Sequence, residues 1–376
     1  MNLELVSMLA FFAVVGSLLW RDRKNVEFHG GLVIRRWNGG LDWIDAFIKK
    51  HPRFIRISGY ISVVVGILAC IGGVYLLIFA ATKMLPGAQL ILPTAAGFKY
   101  PGPIIGVPFW YWLIAVFVLL FSHETMHAIF ARAANVPVKN YGIMLFFVIP
   151  LGAFVEPDER IVKRLKTGKK LPFITAGSFG NFVVGGTFLV LAMILIGIAT
   201  APAITGAFTE PKGVMFNETL SGYPAHYANI TGIIKSVDGI EIKTAENLLN
   251  ILNNTQPGKT IEIVTNDSTY KIKTVVRPDN QTGSFIGISS ASTLVGAKDW
   301  VVVTLNLFGW LTLLNIGIGI VNLLPWRPFD GGLMSQEILT RYFRKNGKTI
   351  ANVIMWLTYG LVFFNLFGVK IIQAIA

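Results

Sequence analysis

The chain has 376 residues, of which 53% are hydrophobic and only 14% are charged, and its mean hydropathy is +0.60. Soluble domains carry about 25% charged residues, so composition excludes the soluble globular, disordered and disulfide-scaffold classes. The net charge of +13 would suit nucleic acid, but its distribution along the chain fits a cytoplasmic membrane surface. The single cysteine, Cys70, lies in an apolar run and excludes an intrachain disulfide.

Six apolar segments are long enough to cross a lipid bilayer, which takes about 20 residues. They predict membrane helices over roughly 3–20, 57–81, 110–133, 172–200, 301–324 and 350–375. The first segment lacks a basic start and a clear small-residue cleavage site. We therefore interpret it as a retained anchor and not as a signal peptide.

The charge of the connecting segments predicts how these helices are oriented. Segments 21–56, 132–170 and 327–348 hold 22 of the 33 lysines and arginines, whereas 201–298 is close to neutral. Because basic connections stay in the cytoplasm, both termini and segment 201–298 are predicted to be extracytoplasmic. All the Asn-x-Ser/Thr sequons, the acceptor pattern for surface glycans, fall in that segment, at Asn217, Asn229, Asn253, Asn266 and Asn280.

Residues 205–292 predict a small extracytoplasmic domain of strands and one helix. Asp238 and Gly239 follow an apolar strand and are typical of a hairpin turn. A helix and two alternating strands are predicted after them, over 245–252, 260–265 and 270–276. This order resembles a PDZ domain, in which an extended peptide adds to a sheet edge beside a helix. Such a domain either binds a peptide or keeps large substrates out, and a generic α+β insert is the alternative.

His123-Glu124-Thr125-Met126-His127 lies inside the third apolar segment. Positions four apart share one face of a helix, so both imidazoles can reach one metal ion. Glu124 follows a ligand directly and is placed to act as general base on a water at that ion. Ionisable groups are costly in a membrane helix and are usually functional there, so this segment predicts part of a catalytic zinc site.

A catalytic zinc site takes three protein ligands and keeps one open position, so a third ligand must come from elsewhere. His123 lies about 20 Å along its helix from Trp110, at 1.5 Å per residue. Pro325 and Pro328 end the fifth apolar segment at a similar depth, which makes Asp330 the best-placed carboxylate. The other candidates are Glu156, Asp158, Glu159 and Glu337.

Together these features resemble the site-2 proteases, over roughly residues 110–335. The resemblance is carried by the His-Glu-x-x-His helix, the PDZ-like insert and the later segment with Asn322, Pro325 and Asp330-Gly331. Trp326 and Arg327 depart from the pattern, which has smaller or apolar residues there, and leave the fine geometry around Asp330 open.

Two further elements match the same family. Gly177 to Asn181 resembles its Gly-x-x-x-Asn element, which implies that the Asn181 amide steadies the oxyanion of the attacked carbonyl; an interhelical hydrogen bond is the alternative. Residues 141–155 resemble its re-entrant β-hairpin, which lines the cleft and pairs with unwound substrate; an interfacial loop is the alternative. The hairpin implies substrate-binding residues at Gly142, Pro150, Gly152 and Phe154.

The predicted fold is an α-helical polytopic membrane protein of about six transmembrane helices, with a re-entrant β-hairpin and a small α+β PDZ-like extracytoplasmic domain. We divide it into accessory helices with a basic cytoplasmic loop (1–109), the first part of the catalytic core (110–204) and the PDZ-like domain (205–292). The third core helix with its Asp-Gly motif (293–348) and a C-terminal helix (349–376) follow.

The resemblance implies an intramembrane endopeptidase with one Zn²⁺ per chain, held by His123, His127 and Asp330. It would cleave the transmembrane segments of single-span membrane proteins by a metal-activated water, in regulated intramembrane proteolysis. The lipid bilayer and a peptide ligand of the PDZ-like domain are the other partners it suggests. Nucleic acid is not expected, because no compact basic domain remains outside the membrane.

Three other functions compete with this one. A multi-spanning protease of the kind that clips prenylated proteins would need a glutamate as third ligand, Glu159 or Glu337. A zinc transporter would spread ionisable residues over several helices, whereas here they converge on one site. A catalytically inactive PDZ-bearing scaffold would have lost Glu124.

Overall fold

The computed structural model describes residues 3–94, 98, 100–202, 204–278, 283–369 and 371–372. The sequon at Asn280 and the end of the predicted 350–375 span lie outside the described residues. The chain divides into two compact units. We call the chain up to Ala192 and from Asn306 onward the core unit, and Met193–Leu305 the insert unit.

The first half of the core unit alternates long helices with short strands. In chain order these are α1 (Leu3–Arg21), β1 (Val26–His29), β2 (Leu32–Trp37), α2 (Leu41–Lys50), α3 (Pro52–Thr82), β3 (Leu90–Thr94), β4 (Ile104–Pro108), α4 (Phe109–Ala133), β5 (Val138–Phe146), β6 (Ile149–Pro157), α5 (Glu159–Arg164) and α6 (Thr167–Thr200). Pro52 stands at the start of α3, where its missing N–H costs nothing.

The insert unit is mostly strands. Its elements are α7 (Thr205–Phe208), β7 (Thr209–Met215), β8 (Glu218–Thr219), α8 (Pro224–Tyr227), β9 (Ile234–Val237), β10 (Ile240–Glu241), α9 (Ala245–Asn254), β11 (Thr260–Thr265), β12 (Thr269–Lys273), β13 (Val275–Val276), β14 (Ser284–Phe285), β15 (Ile288–Ser289) and β16 (Ser292–Ala297).

The chain then returns to the core unit through α10 (Asp299–Leu323). It ends with α11 (Asp330–Phe343), a 3₁₀ turn (Arg344–Asn346), α12 (Gly347–Phe363) and a π-helical turn (Phe364–Gly368). Within the described residues six helical segments are long and apolar enough to cross a membrane, which confirms the predicted number. The last of them is broken between α11 and α12, and α11 is a helix where the sequence suggested only a turn after Asp330.

The insert unit has its own sheet and apolar core. Strand order is β12-β11-β9-β7-β16, with β10 paired to β9. Asp238 and Gly239 both have positive φ and form the two-residue β9–β10 turn. A backbone hydrogen bond from Glu262, with Lys259 nearby, holds the pKa of the Asp238 carboxyl below its usual range. Branched side chains from β9, β11 and β12 fill the core beneath α9.

A four-stranded antiparallel sheet, in the order β1-β2-β5-β6, lies in the core unit. The β5–β6 hairpin spans the predicted hairpin region 141–155. The chain's first hairpin, β1–β2, pairs with β5, with Trp37 opposite Tyr141 and Arg36 opposite Gly142. This pairing could not be predicted from local sequence patterns, because the partners are more than 100 residues apart along the chain.

Glycines let α6 lie close to its neighbours. A Cβ at Gly180 would lie 2.6 Å from the Met126 side chain of α4, and one at Gly185 would lie 2.8 Å from Ile316 of α10. Small residues are the usual means of close helix approach in membranes. The spacing brings α6 into contact with the helix that carries His123 and His127.

Candidate metal centre

α4 directs His123 and His127 toward the same point. The two residues are one helical turn apart, and their Nε2 atoms lie 3.2 Å from each other. Each imidazole is almost wholly shielded, with side chains 11% and 12% exposed. Two buried ring nitrogens this close either share one proton between them or share a third partner such as a metal ion, because burying polar groups without a partner is costly.

Asp330 completes the cluster from the first position of α11. Its Oδ2 lies 3.5 Å from His123 Nε2 and 3.3 Å from His127 Nε2. The two residues after it must be glycine. A Cβ at Gly331 would lie 2.1 Å from the carbonyl oxygen of Leu323, and one at Gly332 would lie 2.4 Å from that of Trp326. The turn that returns α11 against the end of α10 therefore sets the position of the carboxylate.

The three ligand atoms fit zinc. They all lie within 4.8 Å of one another. Ligands about 2.0–2.2 Å from a tetrahedral zinc would lie about 3.3–3.6 Å apart, close to the three separations observed here. Asp330 Oδ2 is buried and, within the described residues, accepts no hydrogen bond of normal geometry. A cation between the three groups would satisfy it.

Gly177 of α6 keeps the space beside the ligands open. A Cβ at this position would lie 2.5 Å from the Nε2 atoms of both His123 and His127. No side chain larger than hydrogen fits without moving an imidazole. The Gly-x-x-x-Asn pattern contains this glycine, but only the packing of α6 on α4 reveals what it does.

The second ring nitrogen of each histidine also has a partner. His127 Nδ1 lies 2.9 Å from the carbonyl oxygen of Phe173, to which it can only donate. The proton is then on Nδ1, and Nε2 is left with the lone pair that a metal requires. This contact is compatible with metal binding at Nε2, and it depends on packing that the sequence does not show.

Asn181, wholly buried on α6, contacts His123. Its amide nitrogen lies 3.3 Å from His123 Nδ1, and its oxygen accepts a hydrogen bond of 2.9 Å from Ser122. If His123 binds a metal through Nε2, its Nδ1 carries the proton. The amide then presents its oxygen to that N–H and its nitrogen to Ser122. The predicted oxyanion role would need the same amide to be free, so that role stays a prediction.

The rival carboxylates are engaged elsewhere. Glu337 accepts hydrogen bonds from Thr167 (2.8 Å) and Lys170 (2.7 Å), which join α11 to the start of α6. Glu159 is 80% exposed and pairs with Lys163. Asp158 accepts hydrogen bonds from backbone N–H groups at the start of α5. Glu156 accepts hydrogen bonds from the side chains of Arg36 and Asn140.

Comparison with known proteins agrees with this geometry. A family model described as Peptidase family M50 matches residues 111–366, which include His123, His127 and Asp330. The chain belongs to Peptidase family M50. The predicted resemblance to the site-2 proteases is thereby confirmed, and membership implies intramembrane metalloprotease activity in general terms. An uncharacterized protein of Methanocaldococcus jannaschii is 25% identical over 344 residues, covering 88% of this chain and 85% of that protein.

The hairpin of this M50 peptidase borders an apolar groove of about 460 Å³ that reaches Glu124. Of the four predicted substrate-binding residues, Gly142 and Pro150 line it. The Phe154 ring covers Gly142, where a Cβ would lie 2.0 Å from it, and Gly152 pairs with Met144. Ile143 and Ala153 line the groove. Since side chains alternate across a strand, Phe154 lies on the other face of the sheet, away from these two residues.

The N-terminal segment is bound to this site, although it precedes the matched region. Arg36 of β2 donates to Glu156 of β6 at 2.8 Å. Asp45 of α2 accepts from Arg132 at the end of α4, with 2.8 Å to the guanidinium Nε. This bond holds the pKa of the Asp45 carboxyl below its usual range. The sequence suggested accessory elements outside the core, but β2 and α2 contact the hairpin and the metal-site helix directly.

Proposed function

We propose that this M50 peptidase is a zinc endopeptidase that cleaves the transmembrane segments of single-span membrane proteins, in regulated intramembrane proteolysis. The supporting observation is the convergence of His123, His127 and Asp330, from α4 and α11, beside a glutamate. Bound there, zinc supplies Lewis acidity, which makes water nucleophilic near neutral pH and polarises a carbonyl. One Zn²⁺ per chain is expected.

The protein's own residues then carry the proton. Glu124 follows the ligand His123 and opens onto the groove. It takes a proton from the attacking water and delivers it to the leaving amine. Asn181 either orients His123 or assists the oxyanion, and the two roles give different results on substitution.

Substrate must be unwound, because a peptide bond in a membrane helix has its carbonyl bonded within that helix. β2 covers one edge of β5, so β6 is the edge strand of the hairpin, and β1 is the other edge strand of the sheet within the described residues. We propose that the β5–β6 hairpin is re-entrant and that an extended substrate segment pairs with it beside Glu124. Gly142 and Pro150 are the predicted binding residues best placed for this.

The distribution of charge supports the proposed orientation, in which both termini and residues 205–292 lie outside the cytoplasm. Cleavage would then release the fragment that carries the substrate's cytoplasmic end into the cytoplasm. We propose that residues 205–292, which lie between core segments 110–204 and 293–348, form a PDZ-like domain. This domain either binds a peptide or limits substrate size.

Cysteine labelling on intact cells, in a Cys70→Ser background, tests the orientation. Ser268→Cys should react with an impermeant thiol reagent and Lys166→Cys should not; equal or reversed labelling contradicts it.

Cleavage of a single-span test substrate by purified protein tests the function. Cleavage should stop with a strong zinc chelator and return on adding zinc. Asp330→Ala should lose both zinc, by elemental analysis, and cleavage, whereas Glu337→Gln should keep its zinc. If Glu337→Gln or Glu159→Gln lost the metal while Asp330→Ala kept it, the ligand assignment would be wrong. Zinc transport without cleavage would favour a transporter, and neither activity would favour a scaffold.

A further inference from the structure

The groove at Glu124 is built from three walls. One wall is a face of α4 made by residues that are three or four apart, together with immediate neighbours, and it includes the glutamate: Leu113, Phe117, Leu120, Phe121, Glu124 and Thr125. The hairpin forms the second wall, with alternate residues of β5 on the same face: Tyr141, Ile143 and Leu145. The groove therefore runs between helix and hairpin directly to the proposed base.

The third wall comes from residues that precede the family match. Phe11 and Val15 of α1 and the tryptophans on either side of Gly39-Gly40 complete it. Trp37 stacks on Tyr141, with ring centroids 6.0 Å apart and planes 16° from parallel. Trp43 stacks on Phe47 of α2, at 5.6 Å and 12°.

The helix that carries Trp43 is fixed to the metal-site helix. Ile44, 2% exposed, packs in one cluster with Ala128 and Ile129 of α4. The Asp45–Arg132 ion pair joins the same two helices. The α2 part of this wall is thus held against α4, and Trp37 and Trp43 are the two largest side chains that this wall contributes to the groove.

The chemistry of the groove selects an apolar occupant. Among the described residues that line it, Glu124 is the sole charged side chain. Phe117, Phe121 and Trp43 are 63%, 62% and 62% exposed and turn aromatic surface toward it. Its volume of about 460 Å³ leaves room for a large side chain together with the backbone that bears it.

We propose that the groove is a specificity pocket for a large apolar side chain, of the leucine, methionine or phenylalanine class, on the substrate residue next to the scissile bond. Trp43 and Trp37 set its size. The inference rests on the proposed protease function. Because Glu124, the proposed base, is part of the groove lining, the side chain that fills the groove belongs to a residue adjacent to the attacked carbonyl. A strand-paired substrate presents alternate side chains to pockets in this way.

Substrate selectivity tests the pocket. The full-length zinc-loaded protein is given single-span substrates with Ala, Leu, Phe or Asp on each side of the bond mapped by mass spectrometry. Wild type should favour Leu or Phe over Ala by at least about tenfold in kcat/KM, as apolar pockets do. Trp43→Ala should reduce that ratio about tenfold. Trp356→Ala, which removes a tryptophan 69% exposed on α12, should leave it unchanged.

A filling substitution keeps the test meaningful if Trp43→Ala folds poorly. Ala153→Leu adds volume within the groove and should reduce cleavage of the Phe substrate more than that of the Ala substrate. If the Phe-to-Ala ratio stays within twofold of wild type in both Trp43→Ala and Ala153→Leu, the pocket does not exist.

Crosslinking separates this inference from the proposed function. In a Glu124→Gln background, a photoreactive residue at position 43 should capture the substrate beside its scissile bond, and one at position 356 should not. Capture of lipid alone at position 43 would show that the groove faces acyl chains and would overturn the proposal. Capture without any cleavage by wild type would refute the protease function, whereas cleavage without capture or altered selectivity would refute the pocket.

Discussion

The ligand cluster and the groove meet at Glu124, but they are built in opposite ways. The cluster consists of three polar side chains, nearly inaccessible, whose ligand atoms lie within 4.8 Å of one another. The groove consists of large apolar side chains, several of them more than half exposed. In the cluster, a small displacement of one side chain would remove a ligand from the metal site. In the groove, many residues contribute to one apolar surface.

This difference predicts different responses to substitution. The cluster depends on positions and protonation states, so single changes in it should act as switches. The groove depends on shared area, so single changes there should shift preference by degrees, since buried apolar area contributes roughly in proportion to its extent. Glu124 belongs to both regions and offers the sharpest way to separate chemistry from binding.

Glu124→Gln should have the largest effect on turnover. Glutamine has nearly the shape of glutamate but cannot accept the proton, and a general base contributes about 10²–10⁴-fold. We expect kcat to fall by about that factor while zinc content stays near one per chain. Single-turnover cleavage and elemental analysis of the same preparation measure both. Wild-type turnover in this variant would remove Glu124 from the mechanism, whatever its metal content.

Gly177→Ala should act on the metal itself. The new Cβ would lie 2.5 Å from both ligand nitrogens, and the imidazoles are held by Phe173 and Asn181. Overpacking of this kind costs about 1–3 kcal/mol, so zinc affinity should fall about 10- to 100-fold. Competition with a chromogenic chelator measures it.

Gly186→Ala is the matched control for that substitution. It changes the same residue type on the same helix, at a position where a Cβ meets nothing within 4 Å. It should bind zinc as wild type does. Equal affinities in the two alanine variants would show that the space beside Gly177 does not matter for the metal.

The cluster was largely predictable from the sequence, and the reason is physical. Ionisable residues stand out in apolar helices because burying them is costly. The prolines and paired glycines around Asp330 also indicated a break in the helix, which the structure shows between Leu323 and Asp330. The requirement for glycine at 177 could not be predicted, because it depends on how closely α6 approaches α4.

The walls of the groove were much harder to predict from the sequence. Trp37 and Trp43 are two of nine tryptophans, and apolar residues are the background of a membrane protein. The β2–β5 pairing joins segments whose local patterns say nothing about each other, and its register comes from the whole sheet. For the same reason the sequence could not show that Phe154 lies on the sheet face turned away from the groove, and its predicted role in substrate binding stays a prediction.

Asn181→Ala should have the smallest effect of the three, and its character decides between two roles. A residue that orients a metal-binding histidine contributes about 10- to 100-fold in affinity or activity. Because the amide already contacts His123 and Ser122, we expect zinc affinity to fall about tenfold and kcat at saturating zinc to change little. An oxyanion donor would give the reverse, a kcat lower by about 10²–10³-fold with unchanged zinc affinity.

Asn315→Ala is the control for this prediction. The buried Asn315 side chain donates to the carbonyl of Leu311 in its own helix, so its removal should alter neither zinc affinity nor kcat. If Asn315→Ala weakened zinc binding as much as Asn181→Ala, general loss of packing would explain both, and the contact with His123 would have no special part in holding the metal.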